Sequence, residues 1–422
     1  MLSFIIILFF FGYFLIALEH SIGINKAASA LLLAVILWIL FVFQSSSTYS
    51  PHALNELLMT NMGEISEILF FLLGAMTIVE LIDAHDGFSL VTQQIKTKNT
   101  LYLAWLISFI TFILSAVLDN LTTAIVMTSL VRKIIPPSET RLKYVGLIVI
   151  ASNAGGAWSP IGDVTTTMLW IGGQITAGKV ILNLFIPSLV CLLVPLMLMS
   201  KSLKGQKVPV AESIKISKLA KERYVIFYCG IGVLLFVPFF KSLTHLPPFM
   251  GVLFGVGLLW VITGILHKKK NEEEKSVYSV MHALQKIDTS SILFFLGILL
   301  SVNVLQNTGL LKQLALNMSD FFGDYNLIAV CLGALSSVVD NVPLVAAAIG
   351  MYPLEIYPVD HTFWHMLAYA TGTGGSALII GSAAGVAVMG LEDITFTWYL
   401  KKMSLLAFAG FLSGALIFWL LN

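Results

Sequence analysis

The chain has 422 residues, 58% of them hydrophobic and only 11% charged, with a formal net charge of +1. Soluble proteins carry about 25% charged residues, so the composition excludes an ordinary soluble domain. The near-neutral balance also gives no reason to expect a nucleic-acid partner. Apolar runs of about 17–25 residues, long enough to span a bilayer, recur along the whole chain, and the expected class is an all-α polytopic membrane protein.

The first half predicts helices near 3–18, 27–43 and 65–82, then a polar stretch over 83–99. The apolar start, Leu2 to Ala17, lacks a basic region and a cleavage site, so it reads as the first helix and not as a signal peptide. Two shorter apolar runs, 100–118 and 121–131, flank Asp119-Asn120. A run from Tyr144 to Ser152 is broken by Asn153-Ala-Gly-Gly-Ala-Trp-Ser-Pro-Ile-Gly162 and resumes at Asp163, and a last helix covers 180–200.

The second half repeats this order, with helices near 223–240, 249–266 and 290–307, a polar stretch, and then 325–339 and 342–351 flanking Asp340-Asn341. A run from 363 is broken by Thr371-Gly-Thr-Gly-Gly-Ser376 and resumes near 382, ahead of a final helix at 402–421. Ser115-Ala-Val-Leu-Asp-Asn-Leu121 matches Ser336-Ser-Val-Val-Asp-Asn-Val342, and Ile68-Leu-Phe-Phe-Leu72 matches Ile292-Leu-Phe-Phe-Leu296. The expected organisation is a first transmembrane repeat at 1–200, a cytoplasmic linker at 201–222 and a second repeat at 223–422.

Charge placement sets the expected topology. If each Asp-Asn pair is the tip of a re-entrant hairpin and each broken run is one crossing, each half crosses an odd number of times and the second half is inverted. With both termini outside, all of the 24 Lys and Arg except Lys179, Lys241 and Lys312 fall on the cytoplasmic side, as the positive-inside rule requires.

An ionised Asp at the bilayer centre costs at least about 2.5–3.5 kcal/mol, so such residues tend to line ion or proton paths. Irregular backbone at membrane depth is tolerated where protein or a water-filled cavity satisfies it, which groups the hairpin tips with the Gly-rich breaks. The hard oxygen ligands there are Asp119, Asn120, Thr122, Thr123, Ser152, Asn153, Asp163, Thr165 and Thr166 from the first half. The second half offers Asp340, Asn341, Thr371, Thr373, Ser376 and Ser382. Oxygen-only sets suit hard cations. A plainer role for the three Asp is helix capping, but Ser or Thr would cap without a buried charge. Gly155, Gly156, Gly374 and Gly375 either ease helix packing or shape the breaks, and their coincidence with the breaks favours the second role. Glu80, near the end of the third helix, is either an accessory proton site or a side chain reaching for the interface. Cys191, Cys229 and Cys331 show no metal-ligand spacing and read as small packing residues.

Asp119-Asn-Leu-Thr-Thr123, followed by Ser152-Asn-Ala-Gly-Gly-Ala-Trp-Ser-Pro-Ile-Gly-Asp-Val-Thr-Thr166, resembles the NhaD-type sodium/proton antiporters of the ion transporter superfamily over nearly the entire chain. The resemblance implies an elevator-type fold, a homodimer, a bacterial inner membrane and an ion path through Asp119, Asn153, Asp163, Thr165 and Thr166. Asp340, Asn341 and the Thr371–Ser376 break are the second-repeat counterparts. Asp163 aligns with Ser382, so three acids are expected, with Na⁺ at Asp119, Asn153, Asp163 and Asp340. The expected activity is exchange of Na⁺ or Li⁺ for H⁺ by competition at these carboxylates, with no cofactor beyond the transported ions.

A sodium-coupled anion carrier on the same fold is the alternative. It needs basic residues or exposed helix N-termini at the site, and no Lys or Arg is expected within the core. An intramembrane aspartyl protease would also use two buried carboxylates, but Asp163 sits in Pro160-Ile-Gly-Asp163 instead of a Gly-x-Gly-Asp motif. No enzymatic activity is expected.

Overall fold

A computed structural model describes residues 2–17, 19–45, 49–92, 97, 99–203, 220–268, 270–392 and 394–422. Lys96, Lys98 and most of the 201–222 linker, with Lys204, Lys207, Lys215 and Lys218, lie outside the described residues. The regular structure is helical, and eight of the described helices are long and apolar enough to cross a membrane. The protein is an integral membrane protein.

Helix α1 spans Leu2–Ala17 and α2 spans Lys26–Ser45. Helix α3 spans Pro51–Ala84 and begins well before its expected start near 65. Ser50 caps it by accepting from the Ala53 amide, and Pro51 stands where a missing N–H costs nothing. With those start signals the helix forms through a polar first part as well as through the apolar window.

Helices α4 (Thr100–Leu118) and α5 (Asn120–Ile134) meet at Asp119. Helix α6 spans Glu139–Ala157, α7 spans Val164–Ile171 and α8 spans Ala177–Leu203. The second half holds α9 (Ala220–Thr244), α10 (Pro248–Leu266), α11 (Val280–Lys286) and α12 (Thr289–Asn307). Helix α13 (Leu310–Phe322) occupies the expected polar stretch, because its strongly one-sided apolar pattern lets it bury Leu311 and Ala315. The pair α14 (Tyr325–Leu335) and α15 (Asn341–Met351) encloses Asp340. Helix α16 spans Thr362–Gly374, α17 spans Ala383–Glu392 and α18 spans Leu405–Leu421.

Both breaks are shorter than expected. Helix α6 continues through Asn153, Gly155 and Gly156, so the first irregular stretch is Trp158–Asp163. Helix α16 continues through Thr371 and Gly374, and two 3₁₀ turns, Gly375–Ala377 and Ile379–Gly381, lead to Ser382. Packing explains the helical glycines. A Cβ on Gly155 would lie 2.2 Å from the Phe112 carbonyl oxygen, and one on Gly374 would lie 2.0 Å from that of Gly333. These two glycines let the broken helices touch the hairpin arms α4 and α14, so they serve close approach and not the break. Gly156 and Gly375 do serve the breaks, since their added Cβ atoms would meet the carbonyls of Gly162 and Gly381.

Contacts between the halves are reciprocal. Helix α2 packs on α12 while α10 packs on α3, α4 packs on α6 as α14 does on α16, and α8 packs on α18. Equivalent hydroxyls clamp equivalent backbones: Ser115 donates to the Ser152 carbonyl at 2.6 Å, and Ser336 donates to that of Thr371 at 3.0 Å.

Candidate functional site

Asp119, Asp163 and Asp340, far apart in sequence, line one cavity of about 70 Å³ together with Asn120, Thr122 and Asn341. A water needs about 10–15 Å³ measured this way, so the space suits a few waters or a partly hydrated ion. Asp163 has Asp119 and Asp340 as like-charged neighbours.

The three acids are held differently. Asp119 sits at φ 106°, ψ 159°, a backbone region that non-glycine residues rarely adopt. Its carboxylate accepts from the Thr122 amide and the Thr122 hydroxyl, both at 2.8 Å. Asp340 caps α15 through the Val342 amide at 3.3 Å. Asp163 precedes α7 but makes no cap hydrogen bond. It is only 2% exposed, and one carboxylate oxygen accepts from the Thr165 hydroxyl at 3.0 Å and the Asn341 side-chain amide at 3.5 Å. The capping role expected as the plain explanation therefore holds for Asp119 and Asp340 and fails for Asp163.

Asn153 joins the two halves. It accepts from the Asn120 side-chain amide at 3.1 Å and donates to the hydroxyls of Ser376 at 3.0 Å and Ser382 at 2.9 Å. Three broken elements therefore meet on one amide. Ser382 has nearly the backbone of Asp163 (φ −142°, ψ 149° against φ −145°, ψ 144°), so the two aligned positions share a local conformation while one carries a hydroxyl and the other a carboxylate.

The remaining candidates are buried nearby but turned elsewhere or left without partners. The hydroxyls of Ser152, Thr371 and Thr373 donate to carbonyls of their own helices, at Val149, Leu367 and Tyr369. Thr123 and Thr166 are fully buried, and their hydroxyls have no hydrogen-bond partner. Glu80 lies away from the cavity, with Asp83, Lys286 and His282 as charged neighbours. Among the described residues, no three His, Cys, Asp or Glu side chains come close enough to hold a metal ion. A cation in the cavity would draw on amide, hydroxyl or carbonyl oxygens as well as carboxylate.

A family model described as "Citrate transporter" matches residues 13–372. "Sodium/proton antiporter 1" of Arabidopsis thaliana is 49% identical over 97% of this chain and 70% of that protein. "Na(+)/H(+) antiporter NhaD" of Alkalimonas amylolytica is 30% identical over 99% of this chain and 90% of that protein. The chain belongs to the NhaD-type antiporter family. Among solved structures, the Alcanivorax borkumensis YdaH transporter, described as having an unusual topology, superposes with a TM-score of 0.61 over 94% of this chain and 98% of that one. At 12% identity that likeness shows the fold alone.

Two features of this NhaD-type chain escaped the sequence. Lys26 lines the cavity, with Nζ 3.6 Å from an Asp340 carboxylate oxygen, which corrects the expectation of a core without Lys or Arg. It stands between two apolar runs, where it reads as a topology signal, and only tertiary packing brings α2 to the second hairpin. The second feature is Glu392, whose side chain is 0% exposed and pairs with Arg141 Nε at 2.7 Å and Arg132 Nε at 3.1 Å. This ties the end of α17 to α5 and α6.

Proposed function

We propose that this protein exchanges Na⁺ or Li⁺ for H⁺ across its membrane through competition of cation and proton for Asp119, Asp163 and Asp340. The observation that carries the reading is Asp163, a buried carboxylate not used as a cap, facing a cavity that it shares with two other acids. A charge buried at such cost suits an ion path. The oxygen donors around it suit a hard cation, and relatives that match nearly the whole of this chain are named sodium/proton antiporters.

In this reading residues 1–200 and 223–422 are inverted repeats joined by a cytoplasmic linker, a view supported by the reciprocal packing of α2 on α12 and α10 on α3. The hairpins and broken helices would move as one body against the remaining helices, elevator fashion, in a homodimer. A bacterial inner membrane with both termini outside completes the proposal.

The family model's description favours a second reading, a sodium-coupled anion carrier. Against it, three carboxylates line the cavity, and Lys26 is already paired with one of them.

Proteoliposomes carrying an imposed proton gradient and a pH-sensitive dye test the proposal. Na⁺ or Li⁺ should dissipate the gradient, and Asp163→Asn should abolish the response while the protein remains folded. A wild-type protein that moves no protons with either ion over a broad pH range refutes it.

A further inference from the structure

We propose that Lys26 is a tethered cation that holds Asp340 when the transported ion does not, so that arrival of Na⁺ unlatches the tip of the second hairpin from α2. The inference rests on the ion-exchange reading above and adds a residue and a role to it.

The two partners belong to different groups of helices. Lys26 is the first residue of α2, which packs along α1 and α12, whereas Asp340 forms the tip between α14 and α15. The start of α2 is fixed in place, since the Lys26 amide donates to a Glu19 carboxylate oxygen at 3.0 Å. The Lys26 ammonium also lies 4.5 Å from the centre of the Phe294 ring on α12, a cation–π contact that steadies it beside the carboxylate. Tyr13 of α1 is a further electrostatic neighbour of Asp340 from the same side. Asp340 therefore faces α1, α2 and α12 from the tip of the second hairpin, whose arm α15 also packs on α12, and the ion pair with Lys26 is its charged tie to α2.

The ion pair is loose and wet. At 3.6 Å it is longer than a good charge-assisted hydrogen bond. Both side chains are about a quarter exposed, 24% and 25%, and both open into the cavity shared with Asp119 and Asp163. A pair of this kind can be exchanged. A sodium ion reaching Asp340 brings a second positive charge beside the ammonium, and like charges so close repel more in a partly buried site than they would in bulk water. One cation must leave, and when Lys26 gives Asp340 up the hairpin tip loses its ion pair to α2. What changes is which cation Asp340 faces.

The test uses purified full-length protein in proteoliposomes and 22Na⁺ uptake at fixed pH. Lys26→Gln should lower the Na⁺ concentration for half-maximal transport by about tenfold, equivalent to about 1.4 kcal/mol. Loss of a merely structural contact would not tighten it. Lys26→Arg, which keeps the charge, should restore the wild-type value. Hydrogen–deuterium exchange over residues 336–345 gives the second readout. Na⁺ should raise exchange there in the wild type, and Lys26→Gln should show the raised exchange without Na⁺. If wild type transports Na⁺ but Lys26→Gln leaves half-saturation unchanged or weaker, or if exchange at the tip ignores both Na⁺ and Lys26, the inference is overturned. If wild type moves no Na⁺ at all, it is the ion-exchange reading that fails.

Discussion

Replacing Asn153 with Ala removes all three hydrogen bonds that join the hairpin amide of Asn120 to Ser376 and Ser382. Each partner is nearly inaccessible to solvent, at 4%, 1% and 4% exposure, so water cannot readily replace the lost bonds. Interhelical side-chain hydrogen bonds in membranes average about 0.6 kcal/mol, and buried ones in general reach about 1.5 kcal/mol. Three of them give a loss of about 2–4 kcal/mol. Thermal or denaturant unfolding in detergent measures the loss directly. A double-mutant cycle with Ser382→Ala should then show coupling of at least about 0.5 kcal/mol, as residues in one network do. Transport should fall as well, because Asn153 positions elements that carry both Asp119 and Ser382. If Asn153→Ala unfolds within about 0.5 kcal/mol of wild type, the range of an unremarkable surface change, the amide is not the hub that the geometry describes.

Two further outcomes follow from charges outside the cavity. Arg141→Met leaves the inaccessible Glu392 carboxylate facing only the half-exposed Arg132. It should destabilise the protein by about 3–5 kcal/mol, whereas replacing Arg141 and Glu392 together by apolar residues should recover much of that in the same unfolding assay. His85 and His267, just beyond the ends of α3 and α10, stack at 5.2 Å with their Nε2 atoms 3.3 Å apart. His85 Nδ1 donates to the Leu81 carbonyl, so its Nε2 accepts, and His267 supplies the proton between the rings. Burial lowers both imidazoles, His85 to about 4. A lowered histidine contributes stability that is complete above about pH 6.5 and is lost as pH falls toward about 4, on the order of 3 kcal/mol for His85. Melting temperature against pH should show that slope, and His85→Phe should flatten it.

The membrane class, the order of helices and the three cavity acids were all legible in the sequence. Long apolar runs report spans through composition, and a repeated Asp-Asn pair inside them reports a charge that lipid would otherwise reject. The extent of each break was not legible. Gly155 and Gly374 look like helix breakers locally, yet tertiary contact with Phe112 and Gly333 makes them the only residues small enough for that part of the helix. Lys26 and Glu392 were missed because their meaning lies in partners hundreds of residues away, Asp340 for one and Arg132 with Arg141 for the other. The amphipathic α13 and the polar start of α3 escaped a reading tuned to uninterrupted hydrophobicity.

Asp163 and Ser382 occupy matching backbone moulds, and Asn153 reaches across to the serine but not to the acid. The scaffold thus separates shape from valence. Two seats share one backbone conformation, and the side chain at each decides whether that seat carries a carboxylate or a hydroxyl. The number of charges the site presents to an ion can change by a single substitution at either seat while the surrounding architecture stays as it is. Ion selectivity and electrical stoichiometry in such a fold can therefore diverge faster than the fold itself.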